Sequence, residues 1–215
     1  MGVSVASASE RTGRAPRWLL LLLFLSVANT VAGLVGLDSA LAQSITRSRS
    51  LDPIVDFLEV ITLKSVSEFI LPLVLLLSGG GFWAFGRTEK GRAMCYIGLV
   101  PLIAYLVSDL SKPQFGRLRP FEVMESGFAD RWFAAGNSFP SGHTAFFAGL
   151  VVPIVVLYRH TWPLLAIPIV VATQRVLATD HYISDVSVSF GLALGAAALL
   201  LPVIGVGSSA STAHG

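Results

Sequence analysis

Six apolar runs recur along the chain, near residues 18–37, 66–85, 93–110, 143–158, 162–178 and 186–204, with short polar stretches between them. About 20 helical residues cross a hydrocarbon core of about 30 Å, so the pattern predicts an all-α polytopic membrane protein built as a six-transmembrane-helix bundle. The fourth and fifth runs are short for spans, and each extends into a polar stretch that a cavity at headgroup level would accommodate. Between the first two runs, Leu51, Ile54, Val55, Leu58 and Ile61 recur at helical spacing, while Asp52, Asp56, Glu59 and Lys64 take other faces. That spacing predicts an interfacial amphipathic helix. Gly79-Gly80-Gly81 predicts close helix packing.

The resulting organisation is a cytoplasmic tail over residues 1–16, a membrane domain over 17–205 and a Ser/Ala/Gly-rich tail over 206–215, expected to be disordered. A removable leader is the alternative for the first run, because Arg11, Arg14 and Arg17 precede it and Ala40-Leu41-Ala42 resembles a small-residue cleavage site. Its length, about 20 residues against the usual 7 to 15, favours a retained span.

Composition sharpens the membrane reading. Hydrophobic residues fill 53% of 215 positions, mean hydropathy is +0.72 and only 13% of residues are charged, against about a quarter in soluble domains. A separate soluble domain has no room, and a net charge of +2 implies no nucleic-acid partner. The lone Cys95 excludes an internal disulfide and thiolate metal binding, and reads as a small buried side chain.

Three polar clusters, at residues 112–120, 140–143 and 175–185, interrupt the apolar pattern. Counting runs from the amino end, the first cluster follows run three, the second opens run four and the third follows run five. All three therefore emerge on one face. The opposite face carries seven basic residues (Arg11, Arg14, Arg17, Arg87, Lys90, Arg92 and Arg159), and the cluster face carries the other eight. Lys112, Arg119 and Arg175 are discounted, since residues that bind an anion are placed by function. The tight loop at 87–92 and the basic amino terminus then put both termini in the cytoplasm and the clusters outside a cytoplasmic membrane.

Each cluster supplies part of what phosphoryl transfer needs: cations around the oxygens, a nucleophile in line and an acid for the leaving group. Lys112, Arg117 and Arg119 form an anion cradle in which Lys112 and Arg119 face the pocket, while Arg117 is free to face headgroups. Pro140-Ser141-Gly142-His143 reads as a helix start, whose hydroxyl and amides converge on an oxyanion with an imidazole in the first turn. In the third cluster Arg175, His181 and Asp185 stand at offsets of six and four, which suits a histidine nucleophile oriented by a carboxylate on a helical turn. Asp180 reads as a cap or a solvated turn residue. The stretch 121–138 is placed to cover the pocket, and Trp132 within it reads equally as an interfacial anchor.

Taken together, Lys112-x6-Arg119-Pro120, Pro140-Ser141-Gly142-His143 and Arg175-x5-His181-x3-Asp185 resemble the three signature motifs of the type 2 phosphatidic acid phosphatase superfamily, which also contains vanadium haloperoxidases. The resemblance covers residues 93–201. It implies that His181 forms a phosphohistidine, that Asp185 orients it and that His143 protonates the leaving alkoxide and then activates water. It further implies that Lys112, Arg119, Ser141, Gly142 and Arg175 surround the phosphoryl group, with no metal and no cofactor. Gln174 stands where the family often has serine. The implied partner is a lipid phosphate such as phosphatidic acid, phosphatidylglycerol phosphate or a lipid A phosphate. Undecaprenyl pyrophosphate hydrolysis, phosphotransfer between lipids and non-catalytic lipid-phosphate binding or transport are the alternatives.

Overall fold

A computed structural model describes residues 15–46, 67–127 and 130–205, which form helices and connecting loops with no strand among them. The amphipathic stretch at 51–64 and the terminal residues 1–14 and 206–215 lie outside the described residues. Each of the six apolar runs is helical, but the boundaries move in ways that matter for the site.

The first run is α1 (Arg17–Ala32), entered from extended Pro16. A π-helical turn at Gly33–Leu37 follows, with a non-helical backbone at Gly36, and then α2 (Asp38–Thr46). The run thus continues past residue 37, with Asp38 at its kink. The second run is α3 (Ser67–Ala84). The third, α4 (Thr88–Phe115), outgrows the expected 93–110 at both ends, and most of the expected 87–92 loop is its first turn. It stops at Gly116, whose φ of 52° lies in the left-handed region that favours glycine. A short α5 (Pro120–Ser126) follows.

The fourth run is α6 (Gly142–Leu157). The fifth opens as a 3₁₀ segment, Arg159–Leu165, so that α7 (Ala166–Leu177) keeps only twelve α-helical residues, a rise of about 18 Å. The sixth is α8 (Ile183–Ile204), closed by Gly205. Three helical stretches, Arg17–Ile45, Thr88–Ser126 and Ile183–Ile204, are long and apolar enough to cross a membrane. Phe69–Ala84 and Gly142–Leu157 are shorter apolar helices.

Packing explains why so apolar a chain forms a definite bundle. Leu19, Tyr96, Val100, Val152, Val156, Leu194, Ala197 and Leu201 join α1, α4, α6 and α8 in one core, and the Tyr96 hydroxyl donates to the Ala197 carbonyl at 2.8 Å. Of the glycine triplet, Gly79 alone packs closely: a Cβ there would stand 2.7 Å from Cys95 Sγ, whereas Gly80 and Gly81 meet open space. Meanwhile Phe24, Leu77, Leu110, Leu199 and Val203 point outward and are largely exposed. An apolar exterior on long apolar helices marks a membrane protein.

Candidate active site

The three clusters meet at one end of the bundle, held by backbone bonds between loops. Leu118 N–H donates to the Arg131 carbonyl, Ser138 N–H to the Arg117 carbonyl and Phe121 N–H to the Thr179 carbonyl. Ser141 N–H, at the start of α6, reaches the Ser189 hydroxyl at 2.9 Å, and Ser189 donates onward to the Asp185 carbonyl. Loop 116–119, the head of α6 and the α7–α8 turn are thereby one unit.

His181 lies in that turn, two residues before α8, rather than on a helical turn with Asp185. Its Nδ1 is 2.6 Å from the Ser138 carbonyl and 3.7 Å from Asp185 Oδ2. A carbonyl only accepts, so Nδ1 carries the proton, and in the neutral ring Nε2 keeps its lone pair. Burial pushes the imidazole below its ordinary value; Arg175 and Arg119 act in the same direction, against Asp185. The ring is therefore neutral at pH 7, the form a nucleophile needs.

Asp185 is fully buried and spends both oxygens. Oδ2 accepts from the Ser138 hydroxyl and, at 2.8 Å, from Tyr182 N–H, while Oδ1 accepts from Arg117 at 2.7 Å. It reaches His181 as a charge beside the ring, and the direct hydrogen bond to Nδ1 belongs to the Ser138 carbonyl. Ser138 thus touches both residues.

Arg117 does not face headgroups. It is 1% exposed, its guanidinium carbon lies 4.7 Å from the Trp132 ring centroid and 3.8 Å from that of Tyr182, and it pairs with Asp38, Asp130 and Asp185. Trp132 is correspondingly no isolated membrane anchor, since it packs on Arg117, Phe115 and Phe139.

The remaining cations line the same end. Arg119 Nη1 and Arg175 Nη2 share the carboxylate of Asp180, at 3.1 and 2.7 Å. Asp180 is thus a clasp between two guanidinium groups rather than a solvated turn residue. Lys112 pairs with Asp109 at 3.1 Å, and its Nζ would stand 3.4 Å from a Cβ on Gly142, which places the ammonium beside the head of α6. Ser141 shares a 3.1 Å hydrogen bond with Thr144, and His143 occupies the first turn of α6, two residues on. Gln174 is buried, and neither polar atom of its side chain has a hydrogen-bond partner.

The sequence marked neither Asp38 nor Ser184, and it placed Asp130 and Ser138 only within the stretch expected to cover the pocket. An acid near the end of an apolar span was the available signal for Asp38, because such a charge is costly unless used. The others carry no local signature.

A lone-pair nitrogen on a neutral histidine, a carboxylate beside it and three cations at one rim make a site for attack on a tetrahedral oxyanion. No curated protein and no solved structure matches the chain. The sequence pattern of the PAP2 superfamily matches residues 93–206, more than half of the chain and all three clusters. The chain belongs to the PAP2 superfamily of phosphatases.

Proposed function

We propose that this phosphatase hydrolyses the phosphate monoester of a membrane lipid through a phosphohistidine on His181. Nε2 attacks phosphorus and the bond to the lipid oxygen breaks, while His143 supplies the proton that oxygen needs. Water, deprotonated by His143, then cleaves the N–P bond and releases inorganic phosphate. Lys112, Arg119, Arg175, Ser141 and the Gly142 amide take the charge of the transferring group. Asp185 offsets the positive charge that develops on the imidazole.

A crevice carries the lipid reading. One cavity of about 610 Å³ lies between α1, α7 and α8, lined by Leu22, Leu25, Asn29, Ile169, Ser187 and Phe190. A second, of about 390 Å³, shares Asn29, Ile169, Ser187 and Phe190 with it and adds Leu41, Ile45, Val176 and Ile183. Those last four also line the small pocket that reaches His181 and Asp38. Apolar hollows on the bundle flank whose lining adjoins His181 suit a phosphate carried on a hydrocarbon tail. The six helical runs act as six crossings with the site on the outer face of a cytoplasmic membrane, the fifth crossing relying on its 3₁₀ segment to gain length.

The test is phosphate release by the full-length protein in detergent from phosphatidic acid, phosphatidylglycerol phosphate, a lipid A phosphate and undecaprenyl pyrophosphate. Release from a lipid monoester, lost in His181→Ala, is expected. No release from any of them, or full activity in that variant, ends the proposal.

A further inference from the structure

We propose that Asp38 is a positioning residue of the active site: acting through Arg117, it fixes the carboxylate of Asp185 beside His181. The inference rests on the phosphatase reading above. It also places part of the working site outside the family-matched residues 93–206.

A guanidinium has five N–H groups in one plane, and each group of Arg117 has a partner. Nε donates to Asp130 Oδ1 at 3.1 Å, and Nη2 donates to Asp130 Oδ2 at 2.6 Å and to Asp38 Oδ2 at 2.8 Å. Nη1 donates to Ser184 Oγ and to Asp185 Oδ1, both at 2.7 Å. Because the fork is rigid, carboxylates on one edge set the angle at which the other edge meets Asp185. Asp130 holds that edge from a loop, and Asp38 holds it from the helical bundle.

Asp38 is itself anchored. Its Oδ1 accepts Ser184 N–H at 3.0 Å, its Oδ2 accepts the Ser184 hydroxyl, and it is 3% exposed. Helix α8 can approach Asp38 this closely because residue 33, in the turn just before Asp38, is glycine: a Cβ there would stand 2.7 Å from Asp38 Oδ1 and 2.9 Å from Ser184 Cβ. Asp38 directly follows the kink at 33–37. Asp38 touches Ser184, and Asp185 is the next residue along α8. Two routes, one through the guanidinium and one through the α8 backbone, therefore connect the first helix to the acid beside the nucleophile.

The experiment compares the full-length wild type with Asp38→Asn in detergent, reading kcat, KM, vanadate inhibition and melting temperature on one lipid phosphate. Loosening an orienting group by a fraction of an ångström lowers turnover by about 10- to 100-fold. We expect that loss in kcat, with KM and the vanadate inhibition constant held within about threefold, because the phosphate cradle is intact. Wild-type kcat in the folded variant overturns the inference, as does a loss that appears in KM instead of kcat. Should Asp38→Asn fail to fold, Ser184→Ala decides: a lowered kcat at constant KM supports the link, and an unchanged kcat overturns it. A wild type that releases no phosphate refutes the phosphatase reading instead, which keeps the two failures apart.

Discussion

At the scale of single residues, the proposed chemistry turns on which nitrogen of His181 carries the lone pair. The Ser138 carbonyl holds the proton on Nδ1, and burial pushes the ring's pKa below its ordinary value. Protonation abolishes the nucleophile, so the acid limb of kcat/KM that His181 governs should fall below its ordinary pKa of about 6.5; a limb above that value contradicts the assignment. The groups whose charges bear on the ring are Asp185, Arg175 and Arg119. Stability follows the same sign. Below about 6.5 the unfolded chain binds a proton that the folded ring resists, so His181 lowers stability as pH falls toward its folded value. Thermal melts at pH 7 and pH 5 read this directly. Asp180 gives a separate prediction: its carboxylate occupies the two guanidinium groups that a phosphate would take. Asp180→Asn should therefore strengthen vanadate inhibition by several-fold, and weaker inhibition would make Asp180 an organiser of the cradle rather than a competitor for it.

Helices and their joints decide where these residues stand. Helix α4 supplies Lys112 and, beyond its glycine stop, Arg117 and Arg119. The head of α6 supplies Ser141, Gly142 and His143, and the α7–α8 joint supplies Arg175, His181 and Asp185. Most of the elements were legible as apolar runs, because lipid leaves a helix no other way to satisfy its backbone. Ends and kinks were not. The extension of α4 through residues 88–92, the 3₁₀ opening of the fifth run and the break at Gly36 depend on neighbours rather than on local hydropathy. Gly79 tests the packing at this scale. Gly79→Leu forces α3 away from Cys95 on α4 and should cost about 1–3 kcal/mol, seen as a lower melting temperature, whereas Gly80→Leu faces open space and should melt like the wild type.

The whole molecule sets the sidedness and the ionic logic of the site. Arg131 is exposed at the cluster end, so a cysteine substituted there should react with an impermeant maleimide added outside intact cells. Labelling only after the membrane is opened would reverse the topology. In the proposed reaction Lys112, Arg119 and Arg175 would provide the positive charge that a metal ion would otherwise bring, and activity should persist in excess chelator. Complete loss that Mg²⁺ restores would refute that division of labour. Arg117 also belongs to this scale, since it ties the first helix, the 130–139 loop and α8 together. Arg117→Ala leaves three carboxylates without their shared cation and should destabilise the protein by about 3–5 kcal/mol.

Period and composition were enough to establish an α-helical membrane chain, and motif order was enough to place three clusters at one end, because alternate crossings return to the same face. Residue type and spacing also pointed to His181, His143 and Asp185 as a set. Partner choice was not contained there. Whether Arg117 meets headgroups or carboxylates, whether Asp180 meets water or two arginines, and whether Asp185 or Ser138 accepts the imidazole proton depend on residues dozens of positions away. Asp38 is the extreme case. Its partner Arg117 stands 79 positions along the chain, and Ser184, which Asp38 also bonds, comes close because residue 33 is glycine. Hydrogen bonds are satisfied by neighbours in space, and folding chooses those neighbours.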